Sequence, residues 1–336
     1  MRAVILVGGF GTRLRPLTAH TPKQMLPIVD RPMIERVVAS LAGYGVTDAV
    51  LSLGYRPDAF LEAYPDDICA GVALHYAVEP EPLDTAGAVR FAALDGGIEH
   101  TFLVINGDVL TDLDVAALWE YHQRSGAEGT IALTPVDDPS RYGVVPIDDD
   151  GRVEAFVEKP PPGTAPTNWI NAGTYVLEPS VLDRIPAGRR ASIERATFPE
   201  MVADRSLYAL HCNEYWVDAG TPATYLQAQL DLVDGVRGTP EVAVHPSVVI
   251  GEGAQVDHSV LMAGVEIGPG AVVRDSVVLP GSRIGAGAVI DGSVVGARSR
   301  IGGSARLTDL TVVGDDVEVP DGASLEGARV PDEEPS

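Results

Sequence analysis

From Ile250 to Leu307 an aliphatic residue returns every six positions, with an occasional step of five: Ile250, Val256, Leu261, Ile267, Val273, Leu279, Ile284, Ile290, Val295, Ile301 and Leu307. Glycine follows it in "IGEGA", "IGPGA", "IGAGA" and "IGGSA". A helix needs a period near 3.6 and a half-buried strand a period of 2. Six fits neither. It predicts short parallel rungs stacked into a β-helix, with one aliphatic side chain per rung in a narrow core and small residues at the corners. Eleven such positions, at three faces per coil, predict about three to four coils.

The chain before this repeat has a different rhythm. "AVILV" is a continuous apolar run, as expected of a strand buried on both faces. "PMIERVVASLAGYG" places Met33, Ile34, Val37, Val38 and Leu41 on one helical face and ends in glycine. "DAVLSLGY", "VALHYAV" and "TFLVIN" read as further strands, with "RPDAFLEAY" and "DTAGAVRFAAL" as helices between them. The alternation predicts an α/β fold, a Rossmann-like mixed and mainly parallel sheet covered by helices. The clustered strands "GTIALTPV", "YGVVPI", "RVEAFVEK" and "GTYVLE" belong to the same domain. The expected division is a domain over residues 1–235, a linker over 236–243, the β-helix over 244–325 and an acidic flexible tail over 326–336.

Of 336 residues, 45% are hydrophobic and 21% charged, and the formal net charge is −24. That balance disfavours a nucleic-acid polymer as partner, because phosphate backbones need basic surfaces. No apolar run approaches the roughly 20 residues of a membrane helix. "MRAVILVGG" is too soon broken by glycine for a secretory signal, so the cytoplasm is the expected location. Cys69 and Cys212 imply no disulfide framework and read as inert core thiols.

Against this acidic background stands "VGGFGTRLR", directly behind the first strand. Gly8, Gly9 and Gly11 can turn the chain sharply and present N–H groups to an anion, and Arg13, Arg15 and Lys23 add positive charge. The spacing is neither a Walker loop nor the dinucleotide fingerprint. From the glycines alone, a tight turn with solvated arginines is an equal reading.

The longer stretch "LVGGFGTRLRPLTAHTPKQMLPI" resembles the sugar-1-phosphate nucleotidylyltransferases, with further blocks in family order: "EPEPLDTAGA", "VINGDVL", "YGVV", "FVEKP", "INAGTYV" and "WVDAGTP". The resemblance covers nearly the whole N-terminal domain and is nearest to mannose-1-phosphate guanylyltransferases with a C-terminal left-handed β-helix. It implies transfer of a nucleotidyl group from GTP to mannose 1-phosphate, with Mg²⁺ as cofactor. It implies that Gly8, Gly9, Gly11, Thr12, Arg13 and Lys23 hold the nucleotide, together with Glu79, Asp84 and Gly107. Arg13, Lys23, Asp108 and Lys159 are the implied catalytic set, and Asp108 and Asp218 the metal ligands. Gly143, Glu158, Lys159, Asn171 and Gly173 are the implied sugar-phosphate contacts, with Trp216 on the cleft wall. Each also has a plainer reading: Asp108 as a turn residue, Asp218 as a helix cap, Glu158 and Lys159 as a strand-end ion pair.

Glu79 favours guanine, because a carboxylate accepts two hydrogen bonds and matches the N1–H and amine edge. Two positions depart from the family pattern. Asp84 stands where glycine is common, where it could cap the next helix, and Gln24 stands where a second proline is usual. Both leave the base open, so thymidylyl, adenylyl or uridylyl transfer to glucose 1-phosphate, or transfer to a cyclitol phosphate, are alternatives. A regulatory paralogue would lack some of Arg13, Lys23, Asp108, Lys159 and Asp218. Acyl transfer by the β-helix would need His245 or His258 as a base. Self-association through the β-helix is the expected partner mode.

Overall fold

The structure, a computed structural model, describes residues 1–54 and 56–332. Its compact units do not follow chain order: one holds Met1–Gly9 and Ile34–Trp216, the other Phe10–Met33 and Val217 onward. Each is described by itself.

The first unit is built on a ten-stranded sheet. Its strands are β1 (Arg2–Leu6), β2 (Asp48–Leu53), β3 (Ile68–Cys69), β4 (Val72–Val78), β5 (Phe102–Asn106), β6 (Gly129–Pro135), β7 (Gly143–Val144), β8 (Val157–Glu158), β9 (Trp169–Leu177) and β10 (Leu207–His211). The spatial order is β8-β7-β9-β5-β1-β2-β4-β3, with β6 also on β9 and β10 on β6. The centre, β5-β1-β2-β4, is parallel. β9 runs antiparallel to β5, β6 and β7. As the apolar run requires, Ala3, Val4 and Ile5 in β1 are fully buried. Helix α1 (Met33–Gly43) buries the expected stripe of Met33, Ile34, Val37, Val38 and Leu41. Helix α2 (Asp84–Asp95) buries Ala86, Val89, Ala92 and Ala93, and these small side chains let it lie close on the sheet.

In the second unit the repeat forms three parallel sheets of five strands, the three faces of a left-handed β-helix. Ile250, Ile267, Ile284 and Ile301 stack seventeen residues apart along one face. The stack therefore has five coils rather than the expected three to four. It continues past Leu307 through Val313, Val319 and Leu325, after one extra residue at the corner Thr308–Thr311, where Asp309 and Leu310 take positive φ of 54° and 60°. In the third face Val278, not Leu279, fills the core rung between Leu261 and Val295. Arg329–Val330 still pairs with Val312–Val313, so the coil runs beyond residue 325; the end of the expected tail, 333–336, lies outside the described residues.

The same unit contains helix α3 (Pro222–Val233) and the segment Phe10–Met33. They belong together because the Tyr225 hydroxyl and the Gln229 amide both donate to the Pro27 carbonyl, and Gln229 Oε1 accepts from Val29 N. Among the described residues no helix is long and apolar enough to cross a membrane.

Candidate functional site

Strand order fixes where a ligand meets the first unit. β2 and β4 step away from β1 on one side, and β5 returns to the other. The crevice of such a sheet opens at the carboxyl ends of the two strands where the order reverses, here β1 and β5. Gly8 and Gly9 follow β1, and Gly107 and Asp108 follow β5. Gly107 N donates to Leu6 O at 2.9 Å. A Cβ there would lie 2.6 Å from Val7 Cγ1 and 3.0 Å from Leu6 O, so only glycine fits. Asp108 is nearly buried at this mouth. At the end of β2, a Cβ on Gly54 would come within 3.0 Å of Gly8 O, and one on Gly8 within 3.1 Å of Glu79 Oε1.

Glu79 is buried, and both of its oxygens are engaged. Oε1 accepts from Ser52 Oγ at 2.9 Å and Oε2 from Leu83 N at 3.0 Å. Bonds to a charged acceptor contribute about 1.5–3 kcal/mol each, so this carboxylate first holds the loop from β4 to α2. Each oxygen keeps a lone pair for one more donor. Asp84 has φ 62°, which explains why glycine is common there. It does not cap α2 as the sequence suggested. Its Oδ1 reaches only the adjacent Thr85 N, and Oδ2 lies 3.5 Å from Arg190 Nε. The first free helical N–H groups, of Ala86 and Gly87, go to the Ala191 carbonyl instead.

A third group gathers around β7, β8 and β9. Gly143 pairs with Glu158, and a Cβ on Gly143 would lie 2.6 Å from the Phe156 ring and 3.1 Å from Glu158 Oε2. Lys159 Nζ stands 3.4 Å from Glu158 Oε1. Its backbone is at φ 50°, and strain of this kind costs on the order of 1–3 kcal/mol and concentrates at functional sites. A register shift in β9 separates Asn171 from Tyr175. There the Asn171 amide donates to Tyr175 Oη and its oxygen accepts from Gly173 N, so Asn171 shapes the bulge. Gly173, at φ 74°, leaves room for Asn106 Nδ2, which would sit 2.6 Å from a Cβ. Trp216 donates to Ala172 O and packs edge-on against Tyr142.

The second unit carries the cationic loop, and it is a folded element rather than a flexible one. The Gly11 carbonyl accepts from Leu14 N and from Thr18 Oγ1, and Thr12–Leu14 forms one tight helical turn. Leu14, Pro16, Leu17 and Thr18 are buried, while Thr12 and Arg13 stay exposed. Gly11, at φ 63°, leaves space for Thr18 and for Lys23 Cβ, 3.2 Å from where its own Cβ would be. Arg13 Nη2 lies 3.7 Å from Asp218 Oδ2, and Asp218 Oδ1 accepts from Gly220 N. A Cβ on Gly220 would fall 2.6 Å from that oxygen and 2.8 Å from Arg13 Nη2. Gly220 thus permits the pair, a role invisible in "WVDAGTP" except as a glycine. Ser52 likewise gave no signal in the sequence. Gln24 is buried with Oε1 unpartnered, which fits its place at an unusual position.

The histidines weighed for acyl transfer are otherwise occupied. His245 Nδ1 faces Ser247 Oγ, and His258 is held between Asp234 and Asp275. The thiols are inert, since burial pushes Cys69 up to about 11 and Cys212 up to about 12.

A parallel centre with glycines at its switch point, a cationic turn beside a carboxylate and an attached hexapeptide coil define a nucleotide-handling transferase. Comparison agrees. The Nucleotidyl transferase family matches residues 2–235, and the GMPPB C-terminal domain matches residues 238–333. The chain belongs to the nucleotidyl transferase family. It is 39% identical over 266 residues to a mannose-1-phosphate guanylyltransferase of Mycobacterium tuberculosis, covering 78% of this chain and 73% of that protein. It is 46% identical over 232 residues to a mannose-1-phosphate guanyltransferase of Emericella nidulans, covering 67% and 62%. Among solved structures, HddC from Yersinia pseudotuberculosis is 32% identical with a TM-score of 0.60, over 68% of this chain and 97% of that one. The same protein is also known complexed with GMP-PN.

Proposed function

We propose that this chain transfers a guanylyl group from GTP to mannose 1-phosphate, giving GDP-mannose and pyrophosphate. The observation that carries the reading is the intact charged set, Arg13 against Asp218 with Lys23, Asp108 and Lys159, in a chain whose relatives of that activity match most of its length. The same set disfavours a regulatory paralogue.

The nucleophile is a phosphate oxygen of the sugar phosphate, anionic near neutral pH, so no general base is needed. Catalysis is positioning and neutralisation of charge. The backbone of Gly8, Gly9, Gly11 and Thr12 lies along the nucleotide, with Gly107 close beneath it. Arg13 and Lys23 bind the nucleotide phosphates. Lys159 binds the sugar phosphate, and Glu158, with the bulge formed by Asn171 and Gly173 and the opening at Gly143, binds the sugar. Among the described residues no three His, Cys, Asp or Glu side chains are grouped so as to hold a metal ion. The carboxylates of Asp108 and Asp218, the ligands that the resemblance implies, suit Mg²⁺, a hard ion that takes one or two carboxylates and completes its shell with water and phosphate. When bound, it neutralises polyphosphate charge. The reading includes a cytoplasmic location, in keeping with the buried free thiols. It also includes self-association through the β-helix, whose first rung leaves Val249 and Ile250 exposed.

The test is pyrophosphate release from each of four NTPs against mannose 1-phosphate, glucose 1-phosphate and a cyclitol phosphate. GTP with mannose 1-phosphate should lead. A lead for dTTP or ATP overturns the guanine reading, and no turnover with any pair overturns the reaction.

Glu79→Gln should lower kcat/KM for GTP by about tenfold to a hundredfold, because one acceptor facing guanine becomes a donor. The loop survives this change, since Gln can accept from Leu83 N and donate to Ser52 Oγ. UTP should lose little. Ser52→Ala removes the loop bond but keeps the carboxylate, so its GTP preference should stand. Equal narrowing in both variants would make Glu79 a loop support only.

Lys159→Ala should raise KM for the sugar phosphate by roughly tenfold to a hundredfold, the size of one charge-assisted bond, and leave KM for GTP unchanged. A change confined to GTP would mean the subsites are reversed.

A further inference from the structure

The last coil of the β-helix touches the loop that carries Arg13. Arg329 opens the final rung, paired with Val312, and its Nη1 donates to the Arg15 carbonyl at 3.5 Å. Beside it, Gly314 N donates to Val330 O at 2.7 Å. A Cβ on Gly314 would sit 3.0 Å from Pro16 Cβ and 3.4 Å from its Cγ. The next residue, Asp315, is largely buried and accepts from Ala297 N at 2.8 Å. Burial raises its carboxyl, and the charge of His20, from the same loop, acts against that rise. Arg329 on the last rung and Gly314 at the corner beneath it thus meet Arg15 and Pro16.

The other end of the segment is held independently. Tyr225 and Gln229 of α3 fix Pro27 and Val29. The turn Thr12–Leu14 lies immediately before the first anchor, closed by Arg15 N donating to Thr12 O at 3.2 Å. Arg15 is therefore the residue on which the turn ends, and its carbonyl is what the coil grips. Moving it moves the turn and the Arg13 guanidinium it aims at Asp218.

We propose that the terminal coil of the β-helix is a positioning element for nucleotidyl transfer, with Arg329 and Gly314 setting the turn that aims Arg13. The coil then does more than assemble subunits: transfer depends on a rung more than three hundred residues away along the chain. The proposal rests on the reaction proposed above for its kinetic arm only.

The test uses the full chain with Arg329→Ala, Arg329→Lys and Gly314→Ala. Arg329 is only partly buried and lies on an end rung, so the stack of coils should persist and thermal melting should change little. Hydrogen exchange at the amides of Leu14, Arg15 and Leu17 should quicken about tenfold in Arg329→Ala, the size of one hydrogen bond from a charged donor, while amides of the earlier rungs hold. kcat should fall by a similar factor with KM for the sugar phosphate unchanged, and Arg329→Lys should recover part of both. In Gly314→Ala the methyl presses on Pro16 and leaves the Arg329 side chain in place, and it should lower kcat in the same way. Unchanged loop exchange in both Arg329→Ala and Gly314→Ala overturns the proposal. If wild-type protein transfers nothing to any sugar phosphate, the reaction fails, and the exchange measurement still decides the coupling.

Discussion

Turnover of Asp108→Asn and of Asp218→Asn is expected to fall by on the order of 10²–10³ fold at saturating substrates, with the fold retained. Asparagine keeps the shape and removes the charge that compensates a bound cation. At position 218 the retained amide oxygen can still accept from Gly220 N, so the local turn has no reason to open. The two carboxylates differ in their surroundings. Asp108 sits almost buried behind Gly107, at the carboxyl end of β5. Asp218 is paired at 3.7 Å with Arg13. Pyrophosphate release measured across a range of Mg²⁺ concentrations separates their roles. A ligand lost from the ion raises the Mg²⁺ requirement as well as lowering kcat. A carboxylate that only orients Arg13 lowers kcat and leaves that requirement alone. Wild-type turnover in either variant would remove that residue from the metal assignment.

The β-helix was legible because its period is strict and its core admits one side chain per rung. Its length was underestimated for a physical reason. The corner Thr308–Thr311 accommodates one extra residue by turning Asp309 and Leu310 into the left-handed region, and a periodicity reading stops where the step changes. The same rigidity of expectation put Leu279 where Val278 stacks. The central sheet was legible from continuous apolar runs such as "AVILV". The segment Phe10–Met33 was not. Its glycines and arginines read as an anion-presenting loop or a tight turn with solvated arginines, yet Leu14, Leu17 and Thr18 are buried and its carbonyls are gripped from α3 and from the last coil. Contacts between residues separated by two to three hundred positions leave no local pattern. Gly220 and Ser52 escaped for the same reason, since each matters only through what approaches it. Glu79 was singled out in the sequence only for the base; its burial and its two structural bonds, to Ser52 and Leu83, are invisible there.

Arg13→Ala is expected to lower kcat for GTP by on the order of 10²–10³ fold while raising its KM far less. The side chain is 61% exposed, so no core packing is lost and the chain should melt near the wild-type temperature. The turn that carries it is closed by backbone bonds from Leu14 N and Arg15 N and does not use the side chain. What disappears is one delocalised cation held beside Asp218 in space that Gly220 leaves open. In the resting protein that cation is partly satisfied by the carboxylate. On the role proposed for Arg13, negative charge grows on the phosphate oxygens as the bond to the leaving pyrophosphate lengthens, and its attraction would strengthen in the transition state more than in the bound substrate. An interaction of that kind appears in kcat, because stabilisation shared equally by ground and transition states would appear in KM. Arg13→Lys sharpens the argument. A lysine restores charge but not the planar fork, so it should recover only part of the loss if two phosphate oxygens are gripped together. Full recovery by lysine would reduce the role to point charge. A change confined to KM for GTP would mean that Arg13 grips the nucleotide before reaction and contributes nothing to the step itself.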